Sequence, residues 1–186
     1  MQALLTSTLL VALAEIGDKT QLLSFVLAAR LRRPWAILAG ILVATLANHA
    51  LAGAFGNWIA TVVPRPALII GVGVLFIGFG LWTLRPDRLE DDPQIHRAGA
   101  FVTALVAFFL AEMGDKTQIA TVALAARFDA LVQVVLGTTL GMMIANAPAV
   151  WLGDQLADRI PMRAVRITAA VLFIAFGILT LFGTPT

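Results

Sequence analysis

Glu15-Ile16-Gly17-Asp18-Lys19-Thr20-Gln21 lies in the middle of an apolar run from about Ala3 to Ala29, and Glu112-Met113-Gly114-Asp115-Lys116-Thr117-Gln118 lies in the middle of a second such run. Two acids, a base, a hydroxyl and an amide thus stand twice where a charge is hardest to accommodate. An ionisable group at membrane depth is costly unless paired or hydrated, and such groups usually mark a transported species or a proton relay. The rest of the chain reads as a scaffold that brings the two stretches together.

Of 186 residues, 60% are hydrophobic and 13% charged, whereas about a quarter of a soluble domain is charged. The composition is that of an integral membrane protein. A pI near 9.9 is of the kind nucleic-acid binders show, but the net charge is only +2 and the arginines sit at the ends of apolar runs. They read as topology signals, and no nucleic-acid partner is expected. The absence of Cys removes disulfides, thiol redox chemistry and thiolate metal sites. Residues 1–13 lack the basic region and cleavage pattern of a signal peptide, so they are expected in the mature chain.

Crossing about 30 Å of hydrocarbon takes roughly 20 helical residues. Six stretches qualify, at about 3–29, 36–62, 67–84, 99–126, 131–157 and 165–183. Between them stand Arg30 to Pro34, Pro64-Arg65-Pro66, a polar segment from Arg85 to Arg97, Arg127-Phe128-Asp129 and Arg159-Ile160-Pro161, where proline and charge end helices. Unbroken apolar runs argue against strands. Links one, three and five carry Arg30, Arg32, Arg33, Arg85, Arg88, Arg97, Arg159, Arg163 and Arg166, while links two and four carry only Arg65 and Arg127. That imbalance places the odd links in the cytoplasm and both termini outside it. Trp35 suits the interfacial belt; Trp58, Trp82 and Trp151 read equally as packing residues.

The chain repeats itself at a constant offset of 97 residues. Beyond the motif, Leu27 to Arg30 maps onto Leu124 to Arg127, Gly40 onto Gly137, Gly56 onto Gly153, Pro64 onto Pro161, and Leu75-Phe76-Ile77 onto Leu172-Phe173-Ile174. Each unit holds three spans, an odd number, so the second enters the membrane upside down. The expected fold is therefore an all-α membrane protein with six transmembrane helices as two inverted three-helix repeats, 1–84 and 99–186, joined by a cytoplasmic linker at 85–98. Inverted repeats of this kind build transporters whose site lies at the repeat interface near the midplane. Asp87, Glu90, Asp91 and Asp92 in the linker read as a solvated tether in preference to a cation trap. Gly71, Gly73, Gly78 and Gly80, with Gly137 and Gly141, read as close-packing positions in preference to hinges.

On a continuous helix Glu15, Asp18 and Gln21 form one stripe of oxygen ligands, and Lys19 lies four residues from Glu15, in reach of an ion pair. Gly17 permits a local loosening that frees backbone carbonyls. Thr20 and Ser24 add hydroxyls, and the second copy offers Glu112, Asp115, Lys116, Thr117, Gln118 and Thr121. Four carboxylates against two lysines leave a charge of minus two, which one divalent cation neutralises. All-oxygen ligation suits Mg²⁺, Ca²⁺ or Mn²⁺ over Cu or Zn. Carboxylates packed together hold protons when a metal leaves, the physical basis for metal/proton exchange. The blander reading, a Glu–Lys staple between helices, does not require the duplicated Asp, Thr and Gln. His49 and Asn146 are equivalent under the offset and read either as a proton relay or as interhelical hydrogen bonds. Asp154 and Asp158 beside Arg159 read as a boundary ion pair.

The doubled Glu-x-Gly-Asp-Lys-Thr motif, one copy in each half, resembles the signature of the Gdt (transmembrane protein 165-like) family of cation/proton exchangers. Both copies match without departure, and the six-span layout covers the whole chain. The resemblance implies export of Mn²⁺, and often Ca²⁺, from the cytosol in exchange for protons. It carries the ligand role to Glu15, Asp18, Thr20, Glu112, Asp115 and Thr117, with Gln21 and Gln118 as extensions of the motif. The short length looks like a prokaryotic member in the cell (inner) membrane. The expected partners are a divalent cation, protons and the bilayer, with a homodimer left open. No cofactor is expected, the metal being cargo, and no phosphate-cradling glycine loop suggests ATP. Two rival readings are an intramembrane enzyme acting on lipid phosphates, which the acid-rich motifs suit poorly, and a carrier for amino acids or monovalent ions.

Overall fold

The computed structural model describes residues 1–85, 99–152 and 162–182. Those residues are helical with no strand, in the order α1 (Gln2–Glu15), α2 (Lys19–Leu31), α3 (Pro34–Val62), α4 (Arg65–Thr83), α5 (Ala100–Glu112), α6 (Lys116–Phe128), α7 (Leu131–Leu152) and α8 (Met162–Phe182). Most of the 85–98 linker, together with Asp154, Asp158 and Arg159, lies outside the described residues.

Among the described residues, the six expected spans become eight helices. Three segments among the described residues, Pro34–Val62, Arg65–Thr83 and Leu131–Trp151, are long and apolar enough to cross a membrane alone; Gln2–Glu15, Ala100–Glu112 and Arg166–Phe182 are shorter apolar helices. The first and fourth stretches, expected as continuous helices over 3–29 and 99–126, are each broken at the motif. Prolines open α3 and α4 in their first turns, where a missing N–H is harmless and the fixed φ suits the helix.

Packing runs across the halves. α1 lies chiefly against α7, and its counterpart α5 against α3; α6 packs on α3 and α2 on α7, while α4 and α8 pair with each other. The equivalent glycines Gly40 and Gly137 show why: a Cβ at Gly40 would meet the Phe101 carbonyl at 2.6 Å, and one at Gly137 the Leu4 carbonyl at 2.6 Å. Only glycine lets the backbones approach this closely. Gly71 and Gly78, by contrast, have nothing within 4 Å, so close packing does not account for them. Phe76 stacks on Phe173, its own counterpart 97 residues on, with centroids 5.9 Å apart.

Large apolar side chains cover the exterior, among them Leu51, Phe55 and Trp58 on α3 and Leu136, Leu140 and Ile144 on α7. The interior holds Glu15, Asp18, Asn48, His49, Glu112 and Asn146, all buried. Polar inside and apolar outside inverts the soluble pattern and fits a lipid surround. Trp35 is exposed and meets Trp151 edge-on at 4.9 Å; Trp58 stacks on Phe55, and Trp82 lies tilted against Phe79.

Candidate metal centre

The break is a turn written into the motif. Ile16 has φ −65° and ψ 115°, Gly17 has φ +83°, and the Asp18 N–H donates to the Glu15 carbonyl at 3.0 Å. Met113, Gly114 and Asp115 repeat this with φ −63°, ψ 119°, then φ +74°, and a 3.1 Å bond to the Glu112 carbonyl. These are type II turns, whose third residue needs positive φ and hence glycine. Nothing lies within 4 Å of a Cβ built at Gly114, so Gly114→Ala is expected to cost only the backbone strain, about 1 kcal/mol. A thermal melt of the purified protein should show a loss of roughly 2–4 °C, and less for Gly114→Asn, since Asn tolerates that conformation.

Each turn ends one half-helix on a glutamate and starts the next at an aspartate. Asp18 and Asp115 occupy the N-cap positions of α2 and α6 yet make no capping hydrogen bond. The third helical residue caps instead: Gln21 Oε1 accepts the Gly17 N–H at 2.8 Å, and Gln118 Oε1 the Gly114 N–H at 2.7 Å. The aspartates are thereby released for the other half. Lys116 Nζ donates to Asp18 Oδ1 at 2.7 Å, and Lys19 Nζ lies 3.0 Å from Asp115 Oδ1. Each lysine thus reaches the aspartate of the opposite copy, where a pair with the glutamate of its own helix was the expectation; the turn removes the helical face that Glu15 would share with Lys19, and Glu112 with Lys116. For the same reason Glu15, Asp18 and Gln21 do not form one stripe.

The two crossed pairs differ in access. Lys116 and Asp18 side chains are 6% and 0% exposed, against 30% and 8% for Lys19 and Asp115. The glutamates take hydroxyl donors instead: Thr20 Oγ1 to Glu15 Oε2, and Thr117 Oγ1 to Glu112 Oε2 at 2.8 Å. Glu15, Glu112 and Asp115 come together, each offering an oxygen within 4.8 Å of the others. Ligands on opposite sides of a hard cation stand about 4–5 Å apart, twice the metal–oxygen distance. Glu15 Oε1, Glu112 Oε1 and Asp115 Oδ2 are buried without a hydrogen-bond partner among the described residues. Buried polar atoms rarely stay so unless something is to fill the gap.

Among the remaining candidates, Gln21 Nε2 donates to the Ala145 carbonyl at 2.9 Å, and Asn146 accepts from Ser24 Oγ and donates to the Met142 carbonyl. His49 is buried, with neither ring nitrogen hydrogen-bonded among the described residues. Asn48 Nδ2 donates to the Phe109 carbonyl at 3.0 Å. The ends of four half-helices meet here, so the positive N-termini of α2 and α6 lie by the carboxylates while the C-termini of α1 and α5 face a cation favourably. With each aspartate matched by the opposite lysine, two glutamates remain for a divalent charge.

A family model described as divalent cation/proton antiporter GDT1 matches residues 3–91 and 100–186. A Vibrio cholerae protein provisionally named a manganese exporter is 48% identical over 183 residues, covering 98% of this chain and 92% of that one. GDT1-like protein 5 of Arabidopsis thaliana is 32% identical over 225 residues, covering all of this chain and 97% of its own. A GDT1-like protein of Synechocystis is 31% identical over 202 residues, covering 97% of each. No solved structure matches.

Proposed function

Because the chain belongs to the GDT1 family of divalent cation/proton antiporters, and is therefore a membrane transporter and not an enzyme, we propose that it exports Mn²⁺ from the cytosol in exchange for protons and takes Ca²⁺ as a second cargo. The observation that carries this reading is the trio Glu15, Glu112 and Asp115, within 4.8 Å of one another and each with an unsatisfied oxygen. A hard divalent cation satisfies all three and cancels the two glutamate charges. When it leaves, protons take its place and the empty carrier resets.

In this reading residues 1–84 and 99–186 are inverted three-helix halves, joined by a cytoplasmic linker at 85–98, with both termini outside the cytoplasm of a cell-membrane protein. Support comes from the crossed packing of α1 on α7 and α5 on α3, and from the matching turns. Helices of 14 and 13 residues laid end to end reach about 40 Å, so α1 with α2, and α5 with α6, each cross once as a broken helix. Asp18, Thr20, Thr117, Gln21 and Gln118 then hold the glutamates and the turns in place around the ion. His49 is assigned to the proton path, being buried and without a hydrogen-bond partner among the described residues.

The test is Mn²⁺ movement in proteoliposomes carrying an imposed pH gradient. Mn²⁺ is expected to run opposite to the proton flow and to stop when an ionophore collapses the gradient. Flux equal to that of empty liposomes would overturn the proposal.

A further inference from the structure

The α3–α4 link and the α6–α7 link meet around a cavity of about 280 Å³. Its wall includes Thr61, Val63, Arg65, Leu68, Arg127 and Asp129. The lining thus carries two arginines and one aspartate, and neither arginine is ion-paired among the described residues. Arg127 lies against the Phe128 ring, 5.8 Å from its centroid, and its Nε is buried with no acceptor among the described residues. A buried donor on a charged group is costly to leave unsatisfied. Arg65 is the first residue of α4, a 19-residue helix whose Pro64 N-cap makes no side-chain hydrogen bond. Pro64 and Pro66 carry no N–H, so only the Arg65 and Ala67 N–H groups open the helix without intrahelical acceptors, and the helix dipole adds positive potential at the same place.

We propose that this cavity binds a phosphate-bearing anion, the headgroup of an anionic phospholipid. A guanidinium fork matches the tetrahedral oxygens of phosphate, and Arg127 Nε–H is half of such a fork. The lining also includes the apolar Leu68, Ile69 and Val72, which suits the glycerol and first methylenes of a lipid and not a freely solvated ion. The level fits as well. α3 has 29 residues and is about 43 Å long, so its end at Val62 reaches the headgroup layer of a bilayer about 40–45 Å thick. The cavity is at the small end of ligand pockets, which run from about 300 Å³ upward, enough for a headgroup and not for a whole lipid.

The test is native mass spectrometry of the detergent-purified full chain titrated with phosphatidylglycerol, phosphatidylcholine or inorganic phosphate. Phosphatidylglycerol is expected to bind more tightly than phosphatidylcholine, and Arg65→Gln/Arg127→Gln to weaken it at least about tenfold, the loss of one charge-assisted hydrogen bond. Arg32→Gln/Arg33→Gln, which leaves the cavity's arginines in place, is expected to change little. If the double variant fails to fold, Arg127→Lys keeps the charge and loses the fork, and is expected to weaken binding by a smaller factor. Inorganic phosphate binding that depends on both arginines, with no such dependence for phosphatidylglycerol, would keep the anion site and overturn the lipid as its source. Equal binding of both probes to parent and double variant would overturn the site.

Discussion

Lys116→Gln is expected to destabilise the protein by about 3–5 kcal/mol, because it removes the ammonium from a fully buried aspartate. The Lys116–Asp18 pair spans the two halves of the chain at 2.7 Å, with side chains 6% and 0% exposed, so Asp18 has no bulk water to turn to. Lys19→Gln breaks the equivalent pair with Asp115, but that lysine is 30% exposed; water compensates, and the expected loss is about 1 kcal/mol or less. In a thermal melt of purified protein, with each kcal/mol worth roughly 2–4 °C, the two variants separate by several degrees. Lys116→Gln/Asp18→Asn removes both charges together and is expected to recover most of the loss. Identical melting of the two single lysine variants would mean that the crossed pairs are not what holds the motifs together.

The duplicated motif was legible because a 97-residue offset survives in polar and apolar positions alike. It announced two related units and identified the residues that meet in space. The turn was harder to read. Glu15 and Asp18 three residues apart, inside an unbroken apolar run, satisfy a helical pattern, and nothing in periodicity separates a helix from two half-helices joined by a three-residue turn. The available signal was Gly17 and Gly114 just before an Asp at the N-cap, with Gln at the third helical position, which is start-of-helix chemistry. Reading that signal would have moved the lysines as well. Once the helix is cut, Lys19 no longer shares a face with Glu15, and the nearest carboxylate belongs to the opposite copy. Gln21 and Gln118 stand in the motif as candidate ligands, and nothing in the sequence marks the second task of their amide oxygens, which accept the turn N–H groups. In the sequence Arg65 and Arg127 carry only a topology signal, because the cavity between two links distant in sequence has no local mark.

Glu15→Gln and Glu112→Gln are each expected to abolish metal-dependent behaviour while leaving the fold nearly intact. The amide keeps the size of the side chain and still accepts the hydrogen bond from Thr20 or Thr117, so packing is preserved. What is lost is one of the two carboxylate charges left over when the motifs' four acids are set against their two lysines, at the point proposed for the cation. Transport is expected to fall by two orders of magnitude or more, because loss of even a supporting group at a metal site costs about 10- to 100-fold. Binding is separable from transport. A ligand at about 100 times its dissociation constant stabilises the native state by about 2.7 kcal/mol, so MnCl₂ should raise the melting temperature of the parent by roughly 5–10 °C and leave either variant unmoved. Mg²⁺ serves as the control for general ionic effects, since its demand for near-ideal octahedral geometry and its reluctance to shed water disfavour a three-carboxylate cage. A full Mn²⁺-dependent shift in Glu112→Gln, together with normal flux, would remove Glu112 from the cation's path and leave the buried trio without a purpose.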